Sequence, residues 1–480
     1  MSSAPGPSPL LVPLQPSPQV VAQMTEFSLL QCEGMSQLEG PSSGRRNDEL
    51  KVDESDAIVR MDITMDLSGE PASHEMNARV ATLFNQMYGP VPEIDASQVS
   101  LRHMSVATTN TVYVASIDPA PTVPSHRAPR ALRATIEDQK QDAVQMPCKY
   151  IVRAYRKGSE GFLSREKELY WLSQLSPLGI GARMFGVFGN GRIEEYLEST
   201  TLDNDTVRQA AASRDIARRM CELHTLVSYY RPHGSGNPSS KEAVYLNGKP
   251  ELWNKVDTGL QVIHDKWLEI QRKCYSNPQC PQILDNWPKV VQAIDKFKLH
   301  VEQAHSPLVF AHNDLLAGNF LRLERTGKIE IVDYEFSGYN YRGYDIANHF
   351  CEWMIDYTQA EHPDIVNPAR YPTEKERHNF LRAYIRAKAF IDANVKANAG
   401  AGKTDSARPV NIRSIELSEE QLCKEVAELD REAALFVTAS HLFWGINGLV
   451  KALICDGSFD EAGHAAYRLS FFLSQVADME

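Results

Sequence analysis

The sequence has no CxxC pair, no excess of basic charge and no uninterrupted apolar run long enough to cross a bilayer. Its eight cysteines, at 32, 148, 221, 274, 280, 351, 423 and 455, follow none of the spacings that build a zinc site, so they read as reduced thiols in a cytoplasmic chain. Cys274 and Cys280 flank a short turn, but no His or Cys pair accompanies them. Fifty Lys and Arg face sixty-two Asp and Glu, for a formal charge of −12, so the basic footprint of a nucleic-acid binder is missing and nucleic acid is excluded as a partner. The start, Met1-Ser-Ser-Ala-Pro-Gly-Pro-Ser-Pro, has neither the basic beginning nor the apolar centre of a secretory signal. The most apolar stretch, Leu435 to Cys455, is interrupted by Ser440, His441, Asn447 and Lys451 and is expected to be a buried helix, not a transmembrane segment.

What the chain does have is length. Its 480 residues, 42% of them hydrophobic, suffice for a two-lobed unit with extra segments. Residues 1–75 carry six prolines in the first eighteen positions and then a polar, charged run, a composition expected of a disordered tail. A PxxP from Pro13 to Pro16 fits a linker or an SH3-type ligand.

From about 78, helical spacing (Val80, Leu83, Phe84, Met87) gives way to strand-like runs at Val99, Thr111 and Lys149. These predict a small sheet interrupted by a surface insertion at 118–145. Phe162 to Leu175 reads as a helix, and Met184–Phe188 with Gly191–Leu197 reads as a hairpin leading into a linker. Helical patterns then dominate (207–229, 253–275, 290–305 and onward), broken by one strand pair around 319–334. Ala397 to Ser406 reads as a mobile loop. The expected fold class is α+β, a two-lobed protein-kinase-like fold. A small antiparallel N-lobe over 76–200 binds nucleotide, and a large, mostly helical C-lobe over 201–480 carries catalysis and the substrate.

The strongest chemical signal is Phe310-Ala-His-Asn-Asp-Leu-Leu-Ala-Gly-Asn, followed by a hairpin and Ile329-Glu-Ile-Val-Asp-Tyr-Glu. Phosphoryl transfer needs positioning and charge neutralisation more than covalent help from the protein. One aspartate meets the acceptor hydroxyl, an asparagine five residues later and a second aspartate beyond a hairpin bind Mg²⁺, and Asp314, Asn319 and Asp333 have that spacing. Hard oxygen ligands are what Mg²⁺ requires.

At this point the sequence resembles the choline/ethanolamine kinase family. The run Asp333-Tyr-Glu-Phe-Ser-Gly-Tyr-Asn-Tyr-Arg-Gly-Tyr-Asp-Ile-Ala-Asn-His-Phe-Cys-Glu-Trp-Met-Ile-Asp-Tyr is close to that family's signature, and the likeness extends from about 98 to 472. The resemblance implies an ATP-dependent kinase that phosphorylates the hydroxyl of choline or ethanolamine. It further implies the first step of phosphatidylcholine and phosphatidylethanolamine synthesis by the CDP-alcohol route, a cytoplasmic location, and dimers, since family members are often dimeric. Carried over by position, Asp314 is the base, Asn319 and Asp333 are the metal ligands, and Arg153 clamps the ATP phosphates. Glu166, or its neighbour Glu168, orients that arginine, while Glu195 and Leu197 are the linker residues beside adenine. Glu352, Tyr357, Trp444 and Phe336 line the amine pocket.

Two departures stand out. Ser105-Val-Ala-Thr-Thr-Asn keeps Ser105, Thr109 and Asn110 of the family's first hairpin loop but has Val106 and Ala107 in place of glycines, which removes the closest backbone approach to phosphate. Asn447 stands where the family has a second cage tryptophan, and Glu461 where it has a tyrosine. Fewer rings and more polar groups suit a primary ammonium, whereas the Cys351-Glu-Trp-Met run leans toward choline kinases. Trp353, Tyr339 and Tyr341 read as core, and His312 and His224 as hydrogen-bonded structural residues. Asp345 reads as one half of a salt bridge or as a substrate-side group. Two other functions fit the motifs less fully: an aminoglycoside-type kinase, and a pseudokinase scaffold using the Pro-rich tail.

Overall fold

The computed structural model describes residues 58–65, 73–89, 93–104, 110–124, 143–155, 164–176, 179–229, 249–359, 363–400, 417–454 and 459–479. The PxxP tail, Ser105, Thr109 and most of the 397–406 loop therefore lie outside the described residues.

The smaller lobe is a six-stranded sheet in the order β1-β7-β8-β6-β3-β2, where β1 is Val59–Met61, β2 Val99–Met104, β3 Asn110–Ile117, β6 Lys149–Tyr155, β7 Met184–Phe188 and β8 Gly191–Glu195. Every pairing is antiparallel except β1 with β7. The ends of the 118–145 insertion pair with each other as β4 (Thr122–Pro124) and β5 (Ala143–Gln145).

Residues 58–65 depart from the disordered reading of 1–75. Ile58, Met61 and Met65 are buried, and the Asn190 carboxamide accepts the Met65 N–H at 2.8 Å and donates to its carbonyl at 2.7 Å. Strand β1 has only three residues and finds its partner more than 120 positions downstream, so local composition could not reveal it.

Alternation along the strands gives the sheet two faces. Tyr113, Ala115, Tyr150, Val152 and Ile193 face a core closed by α1 (His74–Tyr88), whose Met76, Val80, Leu83, Phe84 and Met87 are buried. Ser73 caps α1 by accepting the Met76 N–H. The intervening residues Val112, Val114, Ile151, Arg153, Arg192 and Glu194 lie on the opposite face, with Arg153 between Val112 and Arg192 in register. Helix α2 (Arg165–Leu175) starts at the Ser164 cap.

The larger lobe is helical. Its main helices are α3 (Asn204–Arg208), α4 (Ala210–Tyr229), α5 (Glu251–Asp265), α6 (Trp267–Cys274), α7 (Cys280–Leu284), α8 (Trp287–Gln303), α9 (Arg342–Glu352), α10 (Glu374–Gly400), α11 (Glu419–Lys451) and α12 (Glu461–Ala477). Set into it are two small antiparallel sheets. One is the pair β10 (Leu308–Ala311) and β13 (Gly338–Tyr341); the other is β12-β11-β9, built from Ile329–Ile331, Phe320–Leu323 and Ser199–Thr201. Strand β9 thus ties the linker from the small lobe onto the hairpin that follows the His312–Asn319 loop.

Helix α11 has the length and apolar composition to cross a membrane, but 78% of that apolar window is buried inside the fold, as the polar interruptions predict. Trp353 is buried in the core.

Candidate active site

The loop from His312 to Asn319 joins β10 to β11 and is held by side chains that are themselves buried. Asp345, in the first turn of α9, accepts the Asn313 N–H on Oδ1 at 2.7 Å and the His312 N–H on Oδ2 at 2.9 Å. His224 of α4 reaches the same Oδ2 at 2.9 Å and, through its other nitrogen, the Tyr384 hydroxyl at 2.9 Å. Of the two readings of Asp345, the geometry supports the structural one. Asn313 has φ +69°, a left-handed conformation that asparagine tolerates better than most residues.

The His312 tautomer follows from its partners. Nε2 faces the Val332 carbonyl at 3.0 Å and must donate, leaving Nδ1 to accept the Asp314 N–H at 3.3 Å. Asn319 donates Nδ2–H to the Asp314 carbonyl at 2.8 Å, and its own carbonyl accepts the Val332 N–H at 3.0 Å. The sequence-predicted residues Asp314, Asn319 and Asp333 are therefore stitched into one unit, with Asp333 following Val332 directly.

Asp314 is 8% exposed, and its Oδ1 has no hydrogen-bond partner among the described residues. Burial pushes its carboxyl well above the usual range, and nearby Glu352, Asp333 and Glu335 push the same way against the opposing Lys451.

Asp333 has φ +70° and meets Arg153 Nη1 at 3.2 Å. Burial alone would raise its carboxyl; Arg153, Arg192 and His312 outweigh that and hold it low. Arg153 also lies 3.5 Å from Glu194. Glu168 pairs with Arg165 at 3.0 Å and Arg192 at 2.8 Å, and Glu335 pairs with Arg165 at 3.2 Å. Asn110, from the hairpin-loop motif, reaches Glu335 at 3.5 Å. Oxygen atoms of Glu168, Asp333 and Glu335 all lie within 4.8 Å of one another.

This corrects the expectation for α2. Glu166 is exposed, and the carboxylate turned into the site is Glu168, 2% exposed. The carboxylates paired with Arg153 are Asp333 and Glu194, neither of them on the helix. Sequence reasoning also passed over Arg192, Glu194 and Glu335. The signal for the strand pair was present, since Arg192 and Glu194 flank the apolar Ile193 and so share one face of β8.

Glu195 and Leu197 sit at the linker. The Glu195 carboxylate takes Arg183 Nη2–H at 2.6 Å and Nε–H at 2.9 Å, and the Leu197 carbonyl accepts the Ser199 hydroxyl at 2.8 Å. Between them, Tyr196 lines a cavity of about 280 Å³ with Arg102, Val114, Ser116 and Lys149, on the sheet face that carries Arg153.

Glu352, whose charge acts on Asp314, ends α9. Its Oε2 accepts the Tyr357 hydroxyl at 2.7 Å and its Oε1 accepts Arg468 Nη2–H at 3.3 Å. Phe336 and Trp444 meet edge to face with centroids 5.5 Å apart. The Trp444 indole N–H donates to Asn348 Oδ1 at 2.7 Å, and Asn348 Nδ2–H reaches the Asn313 carbonyl at 3.4 Å, so the ring is tied to the loop beside Asp314. The structure thus groups Glu352 with Tyr357 and Phe336 with Trp444. Arg468, Asn348 and Lys451 were not anticipated, because each comes from a helix turn whose neighbours in space are remote in sequence.

Comparison with known proteins places this geometry in a family. The family model for choline/ethanolamine kinase matches residues 102–473. The chain is 29% identical to the human choline/ethanolamine kinase over 72% of its own length and 77% of that protein, and 30% identical to the rat protein of the same name over 69% and 74%. Its fold is similar to that of the choline kinase from Cryptosporidium parvum, with a TM-score of 0.57 at 20% identity, covering 83% of this chain and 95% of that one.

Proposed function

The chain belongs to the choline/ethanolamine kinase family, and from that premise we propose how its residues divide the transfer of a phosphoryl group from ATP to the hydroxyl of a small amino alcohol. The observation that carries this reading is the position of Asp314. It is buried, its Oδ1 has no partner among the described residues, and it feels the charges of Asp333 and Glu335 from the arginine-bound cluster together with that of Glu352.

ATP lies with its adenine in the cavity beside Tyr196 and its phosphates against Arg153. The converging oxygens of Glu168, Asp333 and Glu335 form an all-oxygen donor set that would fit Mg²⁺, its negative charge offset by Arg153, Arg165 and Arg192. Asp333 and Asn319 are the ligands the reading assigns, with Glu335 joining them. Magnesium, when bound, neutralises charge developing on the β- and γ-phosphate oxygens.

The substrate hydroxyl faces Asp314 Oδ1. As its oxygen bonds to the γ-phosphorus, the bond to the β,γ-bridging oxygen breaks, ADP leaves with that electron pair, and the hydroxyl proton passes to Asp314 and then to solvent. Burial, and after it the field of Glu352, raises the Asp314 carboxyl above the usual range. A substrate ammonium held near Glu352 cancels part of that field, so amine binding promotes the ionised base. The enzyme is read as cytoplasmic, supplying phosphorylated amino alcohol to the CDP-alcohol route.

The test is turnover. Purified full-length chain with Mg-ATP and ethanolamine or choline should yield ADP and a phosphomonoester detectable by phosphorus NMR. Mg-ATP binding without a phosphorylated product from either alcohol would favour the scaffold reading.

A further inference from the structure

The amine pocket contains cations of its own. Lys451, seven residues beyond Trp444 on α11, holds its ammonium 5.6 Å from the Trp444 ring centroid. Lys255, on α5, holds its ammonium 5.5 Å from the ring centroid of Phe336. Both separations fall within the roughly 6 Å over which an ammonium is attracted to an aromatic face. Burial pushes the Lys255 ammonium down to about 8, so it keeps its charge at neutral pH.

The acceptors are in the opposite condition. Asn447, between Trp444 and Lys451 on the same helix, is 2% exposed, and neither atom of its carboxamide has a partner among the described residues. It lines a void of about 10 Å³ with Lys255, Phe443 and Ile446. Asp314 Oδ1 is likewise without a partner among the described residues. Glu352, by contrast, already carries Tyr357 and the buried Arg468.

Rings engaged and acceptors open discriminate between amines by their chemistry. A trimethylammonium has no N–H and is held by aromatic faces and unshared negative charge; a primary ammonium brings three donors. Repulsion from the two lysines acts on either cation, but only the primary one recovers it through hydrogen bonds. We propose that Lys451 and Lys255 are specificity-determining residues that sort amino alcohols by N-methylation, favouring a primary ammonium by occupying the aromatic faces a quaternary one needs. This rests on the reading of Phe336, Trp444 and Glu352 as the amine pocket.

The experiment is a kcat/KM series on the full-length enzyme with ethanolamine, its N-methyl and N,N-dimethyl derivatives, and choline. The native enzyme should lose activity with each methyl, about tenfold or more across the series, and Lys451→Met should shift the choline-to-ethanolamine ratio about tenfold toward choline. Lys255→Met should shift it in the same direction, while Lys451→Arg, which keeps the charge, should retain the native ratio. A ratio unchanged within about twofold in both methionine variants, with native-like melting, overturns the proposal. Trp444→Ala separates this from the pocket assignment: unchanged KM for every amine in that variant defeats the pocket reading itself.

Discussion

Asp345 holds the backbone of Asn313, its Oδ1 accepting that N–H at 2.7 Å while Oδ2 takes the N–H of His312. The loop bearing Asp314 is thus fixed by a fully buried carboxylate on α9, which His224 supports from α4.

Replacing Asp345 by Asn leaves one acceptor where two are used and puts an amide donor against backbone N–H groups. The expected result is a loss of about 3 kcal/mol of stability. A misplaced loop should also lower kcat by about 10²-fold, with the KM for ATP changed much less. Thermal melting and steady-state kinetics check both.

The motif around Asp314, Asn319 and Asp333 was legible because its parts lie within twenty residues and use short-range connections. The charge network around Arg153 was not. Glu166 and Glu168 are two residues apart, about 200° around a helix, so one must face inward when the other faces out. Which one does depends on how α2 packs against β8, where Arg192 waits. The same holds for Lys255 and Lys451, which stand almost two hundred positions apart and lie over the two rings of one aromatic pair, Phe336 and Trp444.

That helix phase gives a paired prediction. Glu168→Ala leaves the buried Arg192 with Glu194 as its one remaining carboxylate partner among the described residues and removes a partner of Arg165, and should cost about 3 kcal/mol. Glu166→Ala, on the exposed side, should stay within about 0.5 kcal/mol of the native protein. Chemical denaturation of the two variants decides it; equal losses would mean that the helix is rotated.

His349 predicts a pH dependence. Its Nδ1–H donates to the Leu315 carbonyl at 3.0 Å, and its Nε2 accepts the Trp353 indole N–H at 3.3 Å, so both nitrogens are committed to the neutral ring. Burial lowers its pKa to about 4. The unfolded chain, titrating near the ordinary histidine value of 6.5, binds a proton that the folded chain refuses between those values. The stabilisation is therefore complete above about pH 6.5 and declines toward pH 4 by about 1.4 kcal/mol per unit for this residue. His464, lowered to about 3, adds to the same trend. His349→Gln, which can make both hydrogen bonds without titrating, should flatten the acid limb of a melting-temperature profile.

The central claim is that Asp314 takes the proton from the acceptor hydroxyl, and Asp314→Asn tests it most directly, because the amide keeps the shape and loses the basicity. Nucleotide affinity by calorimetry should remain near native while kcat with the preferred amino alcohol falls by about 10³-fold. A variant that turns over at the native rate, or one that loses ATP binding instead of chemistry, would contradict the account.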